Sequence, residues 1–440
     1  PKRPQFDTFS ANDRTVSMFG VAMAGHFQGR RGVSYFKTVA RETRRVYARA
    51  ITNVNREEPV VLVEFTPEQI MFRDAVRDFC AREITREYVR ECDRERRPPR
   101  EVYDKLGKMG WLGINIAEEH GGSGGGAVEV AILLEELGRS FLDLAFWVFR
   151  AVTWGGLAIG RDGQDDLKRA VLPKIADGTT TVCFSLTEPE AGSDAAAISL
   201  TATEDGDDFI LNGQKVFTSG FKASDLDVVA CRTATGEKKH HGITLFVVDT
   251  DAPGVTYTAM ETLGHWPLGT AHVFFDDVRV SKSRMLGTLH NGWNDNAVYL
   301  RYERLCLSAA RTGASKAALA DSIEYAQQRS QFDQPISKFQ AVSHRLAEMQ
   351  MKTEISEALV YRYAALLDRD EATVRDAAIL KLYACEAYKE VADDGLQVLG
   401  GYGYTMEYDL QRHYRESRLG VIGAGTSDVQ RNIIARTMGL

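Results

Sequence analysis

The chain has 440 residues, 44% apolar and 26% charged, which is enough for two or three domains with a large core. Its net charge of -7 gives no general reason to expect nucleic acid or an anionic membrane as partner, and no apolar run reads as long enough to cross a bilayer. Six cysteines without a CxxC pair and nine histidines without ligand spacing argue against a disulfide framework or a metal site, and suit reduced thiols in a cytoplasmic compartment.

Residues 1–62 carry eleven Lys or Arg, with arginines clustered from Arg41 to Arg49, and few acids before Glu57. A poorly ordered basic tail, an arm packing on another subunit and a transit peptide to the mitochondrial matrix all remain open. From Thr66 the texture changes. Thr66 ahead of Pro67 and Glu68 is a helix start, and Ile70, Ala75, Val76 and Phe79 follow at helical spacing. The charged stretch Arg90–Arg97 with Pro98-Pro99 reads as a spacer before a second helix, Arg100–Met109. The glycine tract Gly121–Gly126 leads into a third, Val128–Leu137, so residues 63–178 form an α-helical domain.

Over residues 179–289 the period changes from 3.6 to 2. Phe209–Leu211, Asp227–Cys231, Ile243–Val248, Ala271–Phe275 and Val278–Val280 alternate or run apolar between turn residues, as in an all-β barrel or sandwich. Asn212-Gly213 favours a tight turn inside this region. Residues 290–440 return to helical period in long stretches near 297–329, 339–367 and 372–396, which fits a four-helix bundle. The order of helices, strands and helices excludes a Rossmann fold, in which they alternate.

Two loops carry chemistry. Thr187-Glu-Pro-Glu-Ala-Gly-Ser-Asp194 follows the apolar run Thr179–Phe184, so it empties from a strand into a backbone that approaches a phosphate closely. Asn212–Gly220 puts Phe217 and Ser219 on one face, an aromatic and a hydroxyl suited to a flat heterocycle. Each alone is a common surface turn. Together they resemble the flavin signature of the acyl-CoA dehydrogenase family. Four more stretches match in order and spacing: Val278–Gly287, Arg329–Phe332 with Gln340, Gln397–Tyr404, and Gly425–Arg436.

That resemblance implies an α+β fold of three domains, with FAD held between the middle and last. It implies Leu186, Thr187, Phe217 and Ser219 at the flavin ring and Gly192 and Ser193 at the diphosphate, Ser193 also meeting substrate. Arg329, Phe332, Gln340, Gln397 and Gly401 would serve the cofactor of a neighbouring subunit, with Thr426 and Asp428 as further cofactor contacts. The reaction implied is α,β-dehydrogenation of an acyl-CoA, with hydride transfer to flavin N5. Electrons would then pass to an electron-transfer flavoprotein. A homotetramer built as a dimer of dimers is implied, a heterotetramer being the other arrangement.

The residue preceding the terminal Gly-Thr pair, where many members keep their base, is Ala424, which has no proton acceptor; its N–H and Gly425 remain as substrate contacts. One branch of the family carries its glutamate on the first long C-terminal helix in a Glu-Arg pair. Here that pair is Glu303-Arg304, so Glu303 is the expected base and Arg304 a contact to the thioester carrier or a subunit. A desolvated glutamate suits the task, because burial moves its basicity toward neutrality. Flavin oxidase or monooxygenase chemistry and a non-catalytic subunit are the alternatives.

Overall fold

In this computed structural model residues 64–440 are described; the basic extension 1–62 lies outside the described residues. The Thr66 hydroxyl accepts from the Gln69 N–H (3.2 Å) and the Gln69 side chain accepts from the Thr66 N–H (3.0 Å), closing a capping box ahead of Pro67. It opens α1 (Pro67–Glu83), followed by α2 (Arg86–Glu95), α3 (Arg100–Lys108), α4 (Ala127–Ser140), α5 (Leu142–Arg150) and α6 (Asp165–Ala176). Two expectations fail here. The charged spacer is mostly α2, because Thr85 caps it and its only apolar positions, Val89 and Cys92, fall one turn apart and are buried.

The second failure concerns length. Helix α5 continues through a widened π-type stretch, Ala151–Ile159, so that Leu142–Asp162 is long and apolar enough to cross a membrane. In this protein it is a core element, with 94% of its most apolar window buried inside the chain. Asp143, Arg150 and the Gly155-Gly156 pair interrupt the run and hide its continuity in the sequence.

The middle region is one eight-stranded sheet, in the order β6 (Val255–Met260), β7 (Thr270–Ser281), β3 (Asp208–Ser219), β2 (Thr201–Asp205), β4 (Leu226–Arg232), β5 (Ile243–Asp249) and β8 (Met285–Leu286), with β1 (Val182–Ser185) parallel to β4. Strands β4 and β5 are buried on both faces, which explains why they read as apolar runs and not as alternation. Asn212-Gly213 makes no turn. It lies within β3, whose register against β7 shifts between Leu211 and Gly213. Gly213 has φ +142, and a Cβ there would sit 2.9 Å from the Leu200 Cα, so the glycine serves a bulge and a close approach. Likewise Val278–Gly287 is no simple linker: it finishes β7 and supplies β8.

The C-terminal part holds α7 (Gly292–Gln328), α8 (Gln340–Asp368), α9 (Val374–Leu399), α10 (Leu410–Gly420) and α11 (Ser427–Thr437), with a two-residue hairpin, β9 (Ser330–Gln331) and β10 (Gln334–Pro335), after α7. Helix α7 docks on α4 through glycines on both: a Cβ on Gly138 would fall 2.1 Å from the Ala310 carbonyl, and one on Gly313 would fall 1.9 Å from that of Glu135. This near-contact of backbones brings the first helical region against the helix that carries Glu303. All six cysteines are buried and free. The architecture is helical, then β, then helical, as the sequence implies.

Candidate active site

The two loops singled out in the sequence are laced together from beneath. The Val216 N–H donates to the Thr187 carbonyl (2.8 Å). Lys215, fully buried, donates from Nζ to the Leu186 carbonyl (3.0 Å) and to Glu188 (2.8 Å). Glu188 also accepts from the Ser199 and Leu200 N–H groups. Although burial works to raise it, Lys215 and these amides hold the Glu188 carboxyl below its ordinary range. Leu186, Thr187 and Ser219 are thereby half-buried along one edge, while Gly192 and Ser193 stand exposed at the loop tip.

Phe217 stands beside them with 61% of its surface exposed and a left-handed backbone, φ +60, on a second register shift of β3 between Lys215 and Thr218. An aromatic side chain rarely adopts that conformation, and strain of this kind is held by surrounding structure at ligand-contacting positions. The bulge turns the ring outward while Thr218 points inward and pairs with Ser185 (2.8 Å).

Glu303 lies in the first third of α7, half-buried, with its carboxyl pushed up to about 7 by burial; Arg304, Arg150, Arg311 and Lys381 pull in the opposite direction. Arg304, the next residue, projects differently. It is buried, and its Nε has no partner. Opposite this helix, the Lys381 Nζ donates to the Gly425 carbonyl (2.6 Å), and the buried Gln430 donates to the same oxygen (3.0 Å). Ala424 (φ +53) and Gly425 (φ +81) are both left-handed, so this turn is held by two tethers in a conformation that alanine disfavours. Thr426 caps α11, accepting from the Val429 N–H (3.2 Å), and Asp428 is exposed and paired with Arg431.

A third group lies elsewhere. Arg329 and Gly401 line one pocket of about 460 Å³, with the Arg329 guanidinium 6.0 Å over the Tyr402 ring. Gln397 is exposed one turn earlier. Phe332 is 89% exposed at the tip of the β9–β10 hairpin, near Gln340. From Glu303 to Arg329 the chain climbs 26 residues, nearly all in α7, which is roughly 39 Å of helix. Within one chain this third group does not join the first two. His265 is a packing residue bonded to Asp143 (3.0 Å) and stacked on Phe146, with its pKa driven down to about 4 by burial.

Family models of the N-terminal, middle and C-terminal acyl-CoA dehydrogenase domains match residues 66–179, 183–278 and 290–439. The chain belongs to the acyl-CoA dehydrogenase family. The probable acyl-CoA dehydrogenase YngJ of Bacillus subtilis is 34% identical over 376 residues, covering 85% of this chain and 99% of that protein. A subunit of the caffeyl-CoA reductase–Etf complex of Acetobacterium woodii, CarC, is 34% identical over 84% of this chain and 98% of its own. The solved butyryl-CoA dehydrogenase of Megasphaera elsdenii superposes with a TM-score of 0.82 at 32% identity, covering 86% of this chain and 100% of that one.

This acyl-CoA dehydrogenase is therefore an FAD-dependent oxidoreductase. Its residues fit the cofactor: the outward Phe217 ring gives an aromatic wall, and no heavy atom lies within 4 Å of the Cβ positions of Gly192, Gly400 or Gly401, which leaves room for a close-lying ligand. Sequence reasoning missed Lys215, Lys381 and Arg150. Arg150 and Lys381 had a signal, a single cation inside an otherwise apolar stretch, but that pattern does not say what the cation meets.

Proposed function

We propose that the protein oxidises an acyl-CoA thioester at its α and β carbons, with Glu303 as the base that removes the α-proton. The observation that supports this most strongly is a half-buried carboxyl pushed up to about 7 by burial, on the long helix α7 that packs against α4. An α-proton beside a thioester is far too weak an acid for an ordinary carboxylate, so the thioester oxygen needs fixed donors as charge grows on it. The Ala424 N–H is the donor assigned to that oxygen, and Lys381 and Gln430 fix the turn that carries it. FAD, when bound, accepts the β-hydrogen together with its two electrons.

Leu186, Thr187, Phe217 and Ser219 are assigned to the flavin ring, Gly192 and Ser193 to the diphosphate side, and Thr426 and Asp428 to further contacts. Arg329, Phe332, Gln340, Gln397 and Gly401 are assigned to the cofactor of a neighbouring copy, which makes the working unit a homotetramer or other even assembly. The roughly 39 Å of helix between Glu303 and Arg329 supports that division. Electrons leave to an electron-transfer flavoprotein, in keeping with a relative named as part of an Etf complex. The four-part division at residues 62, 178 and 289 is proposed with it.

The test is anaerobic. The purified protein is expected to be yellow, and a panel of acyl-CoAs is added while the flavin absorbance is followed. Bleaching by at least one thioester is expected, together with a yellow but unbleached Glu303→Gln variant. A Glu303→Gln variant that bleaches as fast as wild type refutes the assignment.

A further inference from the structure

Arg150 closes α5 with 6% of its surface exposed. A buried guanidinium is ordinarily matched by a carboxylate, because the charge forfeits its hydration and needs compensation. Arg150 has no such match among the described residues: its side-chain hydrogen bond runs from Nη1 to the Phe146 carbonyl on its own helix (2.6 Å). The nearest acidic neighbours are committed elsewhere. Asp143 binds His265, and burial pushes its carboxyl up to about 7.

The orphan cation packs beside the segment assigned to the flavin edge. A Cβ on Gly220 would meet the Arg150 Cζ and Nη1 at 3.5 Å, so the guanidinium lies against the backbone one residue past Ser219. From the other side its charge bears on Glu303. Glu303 already answers to Arg304, Arg311 and Lys381, so Arg150 is surplus positive charge in a dry cleft. A hydrocarbon chain there would gain nothing from it and would seal it from water.

We propose that Arg150 is a specificity-determining residue that binds a carboxylate at the far end of the acyl chain, so that the substrate is a terminally carboxylated acyl thioester. The inference rests on the dehydrogenase reading and narrows its substrate class. A carboxylate met there by the guanidinium replaces the missing counter-ion with charge-assisted hydrogen bonds. Gly220, with φ +74 and no side chain, sets only its backbone against the cation on that side.

The experiment compares glutaryl-CoA with pentanoyl-CoA, equal in acyl carbon count, on the FAD-loaded enzyme, measuring kcat and KM separately. Dissociation constants of the matching 2,3-enoyl products, with and without the terminal carboxylate, are measured by calorimetry. Glutaryl-CoA is expected to be favoured in kcat/KM by at least about tenfold, mostly through KM, as for a desolvated charge pair. Arg150→Gln removes that preference and the product-binding difference, while Arg150→Lys restores part of both. Equal or better handling of pentanoyl-CoA by the wild type overturns the proposal without any variant. So does an Arg150→Gln effect that is the same for both thioesters and appears as a shifted pH profile, since that marks a residue acting only through Glu303. If neither thioester bleaches the flavin while longer neutral ones do, the carboxylate assignment falls and the dehydrogenase reading stands; if none bleaches it, both fall.

Discussion

Two glutamates, buried Glu188 and half-buried Glu303, show what burial does with and without compensation. Glu188 faces a fully buried Lys215 at 2.8 Å and receives the Ser199 hydroxyl and two backbone amides besides. It is held ionised and is spent on tying two loops together. Glu303 has four cations in range and no hydrogen bond to any of them among the described residues, and its carboxyl drifts up to about 7. Satisfied by hydrogen bonds, Glu188 is a structural joint, whereas the free acceptor of Glu303 is what the proposed base requires.

Breaking each side separates the two cases. Glu303→Gln is expected to slow flavin reduction by roughly 10²–10⁴-fold, the span of general-base catalysis, with the fold intact. Its stability carries a sign as well. The folded protein keeps the Glu303 proton to pH about 7, while the unfolded chain releases it near 4.5, so the wild type loses stability as pH rises through that window. Glutamine has no such loss, and the variant gains roughly 3 kcal/mol on the wild type between pH 4.5 and 8, read from denaturant midpoints. Lys215→Met is the opposite experiment: it strands Glu188 and costs about 3–5 kcal/mol in urea unfolding, while adding Glu188→Leu recovers much of the loss.

Smaller effects sharpen the contrast. Burial lowers the Lys381 amine to about 8, and it holds the turn of Ala424 without being assigned a contact to substrate. Lys381→Met is expected to reduce kcat by about tenfold in steady-state rates, the scale of one charge-assisted hydrogen bond, with KM little changed. Phe217→Gly relieves a left-handed aromatic residue and leaves thermal stability within about 1 kcal/mol of wild type or better. It nevertheless weakens FAD retention, measured as the flavin absorbance left after dialysis.

Local chemistry made much of this molecule legible. Thr66 and Pro67 declare a helix start, and the period change at the β region declares the sheet, because capping and alternation are written within a few residues. Gly213 misled because a bulge and a tight turn both need glycine, and only the partner strand decides between them. The membrane-length helix hid behind Arg150 and two glycines, and α2 behind its charges. Glu303 was legible only through the family pattern around it. Its cations were not, because Arg150 and Lys381 lie 153 residues before and 78 residues after it in the chain.

The most direct test is the pH dependence of anaerobic flavin reduction by a saturating acyl-CoA, wild type against Glu303→Gln. The wild-type rate should rise about tenfold per pH unit below 7 and level off above it, while the variant stays slow and flat. A wild-type rate indifferent to pH between 5 and 8, or a variant that keeps the same profile, would show that the α-proton goes to some other group.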